Sequence, residues 1–151
     1  LMTYNLLSQH GFPSFWVGTI GNSLEKISTG QHQHTTPDPD TLFYLLAKAH
    51  KLGMKYGVLE VSSHGLEQEK LGPIQFATGV FTSFSRDHLD FHPSLKDYFQ
   101  AKLKLFQFHV QKSGFSIIQS QVFSQNKESL KLNYEIFLFF TFVYMHCMFK
   151  L

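Results

Sequence analysis

Apolar and polar positions switch between two periods along this chain, and the switches mark out its elements. Met2, Leu6 and Leu7 share one face and Gly11 follows, so Met2–His10 reads as the end of a helix with a glycine C-cap. Phe15–Thr19 is apolar and rich in β-formers, and it runs into Gly18-Thr-Ile-Gly21, a strand followed by a turn. Ser23–His34 is polar and turn-rich, a loop or small hairpin. Thr36-Pro-Asp-Pro-Asp-Thr41 then opens a helix to about Leu52, with Leu42, Leu45, Leu46 and Ala49 at helical spacing.

Tyr56–Val61 is a short apolar strand up to Glu60, and Phe76–Phe84 is another after a polar connection. Pro93 and Ser94 start a helix from Leu95 to about Phe108, with Tyr98, Ala101, Leu105 and Phe108 near one face. Phe115–Ile118 reads as one more strand. Strands alternating with helices predict an α/β fold with a parallel sheet flanked by helices. From about Gln119 the pattern degrades: Ser, Gln, Asn and Lys dominate to Asn133, and an aromatic-rich run, Ile136–Tyr144, follows. No internal repeat is visible.

Composition narrows the class. The 151 residues amount to one domain's worth of chain, and 43% hydrophobic against 16% charged argues against disorder. A net charge of +2, with no dense Lys/Arg run, gives no reason to expect a nucleic-acid partner. The single Cys147 excludes an intrachain disulfide framework or a multi-cysteine zinc site and fits a reducing, cytoplasmic setting. Leu1-Met-Thr-Tyr-Asn-Leu-Leu7 lacks the features of a signal peptide, and Ile136–Met145 is short for a membrane span, so a core or interfacial segment is expected there.

The candidate chemistry gathers after the strands. Glu60-Val-Ser-Ser-His-Gly65 and Ser85-Arg-Asp-His-Leu-Asp90 each follow an apolar run, where parallel sheets place ligands. A carboxylate with polar neighbours suits Mg²⁺, which keeps waters and bridges phosphates. Equally, Glu60 serves to cap the following turn and His88 is a surface imidazole; spacing alone leaves both readings open. His88-x-x-x-His92 is a weaker zinc pair, because Pro93 disfavours helical geometry at His92. Thr35-Thr-Pro37 makes an anion-friendly corner or a plain helix N-cap. Lys102 lies among Lys96 and Lys104, so a solvated lysine is its default. No G-x-S-x-G elbow supports Ser62 or Ser63 as a nucleophile with His64.

Taken together, Thr35-Thr-Pro-Asp38, Glu60-Val-Ser-Ser-His-Gly-Leu66, Phe81-Thr-Ser-Phe-Ser-Arg-Asp-His-Leu-Asp90 and Tyr98-Phe-Gln-Ala-Lys102 resemble the central domain of the Mur ligases, a P-loop NTPase-like α/β fold. The resemblance runs from Leu1 to Phe108, and its wording favours the members that add the third amino acid to UDP-MurNAc-dipeptide in peptidoglycan biosynthesis. It implies ATP-dependent amide synthesis through an acyl phosphate, with Mg²⁺. It further implies Glu60, His88 and Lys102 as metal-side residues, Lys102 carbamylated, and His34, Thr35, Thr36, Ser62, Gln68 and Lys70 as substrate-binding. His88 and Lys102 are the implied catalytic pair.

Departures from the family pattern shape the expectation. The phosphate loop G-T-N-G-K-T that the family places just before the position of Leu1 is absent from these residues, as are the uridine-binding and amino-acid-selecting domains. Lys70 stands where Arg is usual, and Ser83 where Asn is usual. The expected division is a partial central domain over 1–112 and a divergent, Phe-rich tail over 113–151, with no turnover by this chain alone. The rivals are a non-catalytic remnant serving association only and, further off, a zinc-dependent hydrolase built on His64, His88 and His92.

Overall fold

Among the described residues of this computed structural model, four α-helices, one π-helical turn and seven strands carry the fold. The structure describes residues 1–25, 34–85, 90–119 and 122, and the backbone of 136–139 and 147–150. Helix α1 (Met2–Gln9) leads into β1 (Ser14–Gly18), a turn, and the two-residue β2 (Gly21–Asn22). Helix α2 (Pro39–Lys51) takes Pro39 in its first turn, where a missing N–H costs nothing, and its last turn carries Lys48, His50 and Lys51 against the carboxyl-end dipole. Then come β3 (Tyr56–Leu59), α3 (Ser63–Glu67), β4 (Phe76–Phe81) and α4 (Leu95–Lys104). The chain closes with β5 (Val110–Gln119), β6 (Ile136–Phe139) and β7 (Cys147–Lys150).

The strands form one sheet in the order β2-β1-β3-β7-β4-β5-β6. β1 pairs parallel with β3, and β4 with β5 and β5 with β6 likewise. β7 lies between β3 and β4 and runs antiparallel to both, which makes β3 and β4 parallel to each other. The expected α/β architecture with a mainly parallel sheet is therefore the observed one, with β2 and β7 as its antiparallel members.

One core cluster unites the elements. Leu42, Leu45 and Ala49 of α2 are buried with Phe15, Val17 and Leu59, while Phe99, Leu103 and Phe106 pack with Phe76, Phe81 and Val110. Phe81 stacks on both Phe99 and Phe106, with ring centroids 5.8 and 6.1 Å apart.

Three sequence expectations need correction. The helix expected to reach Phe108 ends at Lys104 and continues as one π-helical turn, Leu105–His109. The wider turn shifts the phase, so Phe108 is 64% exposed instead of sharing the face of Tyr98 and Ala101. The connection after Val61 contains α3, a helix too short for its period to be read. β4 stops at Phe81, three residues before the expected end, and releases the following residues toward the ligand edge.

Candidate functional site

Since β1, β3 and β4 are parallel, their carboxyl ends share one edge of the sheet. Thr19 follows β1, Glu60 follows β3, and Thr82 and Ser83 follow β4; all four line one cleft of about 410 Å³. Thr35 and Thr36 enter it from the segment ahead of α2, Ser62 from the head of α3, Gln68 and Lys70 from the turn behind α3, and Lys102 from α4. His34 lines the same cleft. Every described residue that the family motifs single out is thus brought together, from segments far apart in the chain. His88 and the rest of 86–89 lie outside the described residues.

The corner at Thr36 is built tightly. Its hydroxyl accepts the Ser62 backbone N–H at 2.8 Å, lies 3.2 Å from Ser62 Oγ and donates to the Glu60 carbonyl at 3.3 Å. Thr36 is fully buried, and Gly65 leaves room for it: a Cβ there would stand 2.7 Å from Thr36 Cβ and Oγ1. Ser62 Oγ accepts the Gly65 N–H at 3.0 Å and caps α3. The turn is therefore capped by Ser62, and Glu60 is not its cap. The Glu60 side chain instead reaches back to β1, where Oε2 accepts from both the backbone N–H and the hydroxyl of Thr19, each at 2.8 Å.

Charge is arranged with the same economy. Lys70 is 7% exposed, and its ammonium meets Asp38 Oδ1 at 2.8 Å. The Lys70 hydrogen bond and charge hold the Asp38 carboxyl below the usual carboxylate range. Lys102 is not the freely solvated lysine of the default reading. Its ammonium lies 4.9 Å from the Tyr98 ring centroid, one helical turn back, and 5.6 Å from that of Phe81.

His92, one half of the weaker zinc pair, is 3% exposed; its Nε2 lies 2.9 Å from Ser63 Oγ, and its ring packs on Tyr98. Among the described residues no three His, Cys, Asp or Glu side chains gather closely enough to hold a metal by themselves. The cleft does fit a hydrated Mg²⁺, because that ion keeps several waters and takes one or two carboxylates together with substrate phosphates. Glu60 and the surrounding hydroxyls supply a donor set of that kind.

Sequence reasoning gave no role in the cleft to Thr19 or Tyr98, which both line it. Thr19 had one signal, its place in Gly18-Thr-Ile-Gly21 at a strand's carboxyl end. Tyr98 had another, the four-residue interval to Lys102.

Comparison with known proteins adds a separate line. The family model of the Mur ligase middle domain matches residues 1–140, continuing past Phe108, the expected limit of the resemblance. The UDP-N-acetylmuramoyl-L-alanyl-D-glutamate–2,6-diaminopimelate ligase of Bacteroides fragilis is 36% identical over 142 residues, covering 89% of this chain and 28% of the relative. The ligase of the same name from Phocaeicola vulgatus is 37% identical over 116 residues, 77% of this chain and 24% of the relative. That from Chromobacterium violaceum reaches 46% over 90 residues, 60% of this chain and 18% of its own. The chain spans about a quarter of the length of the curated relatives it matches.

Proposed function

Because the chain belongs to the Mur ligase family, through its middle domain, we propose that its cleft serves ATP-dependent addition of the third amino acid to UDP-MurNAc-dipeptide. By the relatives' names that amino acid is 2,6-diaminopimelate. The dipeptide carboxylate attacks the γ-phosphorus of ATP and releases ADP. The amine of the incoming amino acid then attacks the acyl carbon, loses a proton and expels phosphate. Both steps crowd anionic oxygens together, so catalysis is a matter of positioning and of cationic stabilisation. Such a reaction belongs to the cytoplasm, where ATP and nucleotide-linked precursors are available.

The chain's own residues divide the work. Thr35, Thr36, Ser62, Gln68 and Lys70, with His34 beside them, hold the UDP-muramoyl-peptide. Lys70 acts as a point charge, without the bidentate fork of an arginine. Glu60, His88 and Lys102 form the metal side. Bound Mg²⁺ supplies charge neutralisation at the transferring phosphoryl group. Lys102 takes part once carbamylated, its amine adding CO₂ and losing a proton to become an anion. Within these 151 residues there is no Gly-rich Gly-Lys-Thr cradle for the β- and γ-phosphates.

The observation that carries this reading is the convergence of His34, Thr35, Thr36, Glu60, Ser62, Gln68, Lys70 and Lys102 on one cleft. The test is a thermal-shift titration with UDP-MurNAc-dipeptide. A ligand-dependent rise in melting temperature is expected for the wild-type chain, and little or none for Lys70→Ala. A folded wild-type chain that shows no rise at millimolar ligand favours the non-catalytic remnant instead.

A further inference from the structure

The carboxylate of Glu60 is held by a residue that no sequence motif singles out. Both donors of Thr19 reach the same oxygen, Glu60 Oε2, the backbone N–H and the hydroxyl each at 2.8 Å. The same hydroxyl lies 3.1 Å from Thr35 Oγ1. A hydroxyl carries one proton, so it cannot donate to both neighbours. The charged carboxylate is the stronger acceptor and takes the shorter bond. The Thr19 hydroxyl is thus poised between two acceptors, Glu60 Oε2 and Thr35 Oγ1, with the carboxylate preferred. Gly18 makes the close approach possible, since a Cβ there would stand 2.5 Å from Glu60 Cδ. The result is a three-membered relay from the segment ahead of α2, through the end of β1, to the end of β3.

We propose that Thr19 is a positioning residue that couples the two ligands of the cleft. It presets Glu60 for a divalent cation and orients Thr35 for the muramoyl substrate, so that each ligand tightens the binding of the other. The proposal rests on reading Glu60 as a cation ligand and Thr35 as a substrate contact. A glutamate has three side-chain torsions to immobilise when it grips a cation, and two hydrogen bonds to one oxygen remove much of that freedom beforehand. Hydrogen-bond partners of ligating carboxylates commonly change metal affinity by about 10–100-fold when removed.

The experiment uses the full 151-residue chain and Mn²⁺, whose free form is counted by electron paramagnetic resonance, with and without UDP-MurNAc-dipeptide. Thr19→Val keeps the shape and the N–H but loses the hydroxyl; it is expected to weaken Mn²⁺ binding about tenfold and to abolish the tightening by the dipeptide. Thr19→Ser restores both, which a purely structural role for the threonine methyl would not produce. Glu60→Gln separates the two levels of inference. Wild-type Mn²⁺ affinity in Glu60→Gln, or no binding by the wild type, overturns the reading of Glu60 itself. Loss of binding in Glu60→Gln together with unchanged affinity in Thr19→Val overturns the positioning role alone. Dipeptide tightening that survives in Thr19→Val overturns the coupling.

Discussion

Gly65 illustrates how a single missing methyl shapes this cleft. Its Cα lies over the buried Thr36 hydroxyl, which ties the segment ahead of α2 to the head of α3 through Ser62. A side chain at this position has nowhere to go, because a Cβ would meet both Cβ and Oγ1 of Thr36 at 2.7 Å. Gly65→Ala is expected to lower stability by about 1–3 kcal/mol, the usual cost of overpacking a closed site. Urea denaturation checks this, and a midpoint equal to wild type would mean that Thr36 moves aside freely. Residue-scale legibility was uneven for a physical reason. Thr36, Glu60 and Ser62 stand in long motifs and were visible. Thr19 was not, because a hydroxyl in a turn carries no period; its significance comes from a carboxylate 41 positions away.

At the scale of elements, three helices end in the same way, and one of them does so at a cost. After α1, Gly11 (φ +76°) donates to the Ser8 carbonyl and Phe12 to that of Leu7; after α2, Gly53 (φ +74°) donates to His50 and Met54 to Ala49. Both are Schellman closures with glycine in the left-handed position. After α3 the pattern repeats, with Glu69 donating to Leu66 and Lys70 to Gly65, but Glu69 holds φ +53° without being glycine. The strain is retained where the next residue is Lys70, which the turn delivers into the cleft. Glu69→Gly should therefore stabilise the fold by about 0.5–1 kcal/mol, the left-handed penalty less the added freedom of the unfolded chain. Thermal denaturation reads the change, and a destabilised variant would show that the Glu69 side chain earns its place through contacts. The same comparison explains what could be read beforehand. Gly11 announced the end of α1, whereas α3 is short and has no glycine behind it, so it passed for a loop. The end of α4 was overrun because a π-helical turn leaves no mark in an apolar pattern read at 3.6 residues per turn.

For the whole molecule, the decisive piece is β7. It pairs with β3 at four positions, Tyr56 to Leu59, and meets β4 at Thr78. Without it, β2, β1 and β3 stand on one side and β4, β5 and β6 on the other. No local pattern could have foretold this, because strand pairing over such a distance depends on partners and not on period. The backbone of Met148 is in register with Val58 on one neighbour and Thr78 on the other. Met148→Pro removes a backbone donor at the centre of the sheet and should cost about 3 kcal/mol or more. Circular dichroism during denaturation should then show a broad or two-step loss of structure in place of one transition; a single sharp transition at the wild-type midpoint would count against β7 as the bridge. The arrangement also sets a pace for folding. The carboxyl ends that make the cleft belong to strands on both sides of β7, so the ligand edge closes only after residues 147–150 have returned across most of the chain's length. Contacts so distant in sequence are slow to form, and ligand binding during refolding should lag behind the appearance of helix.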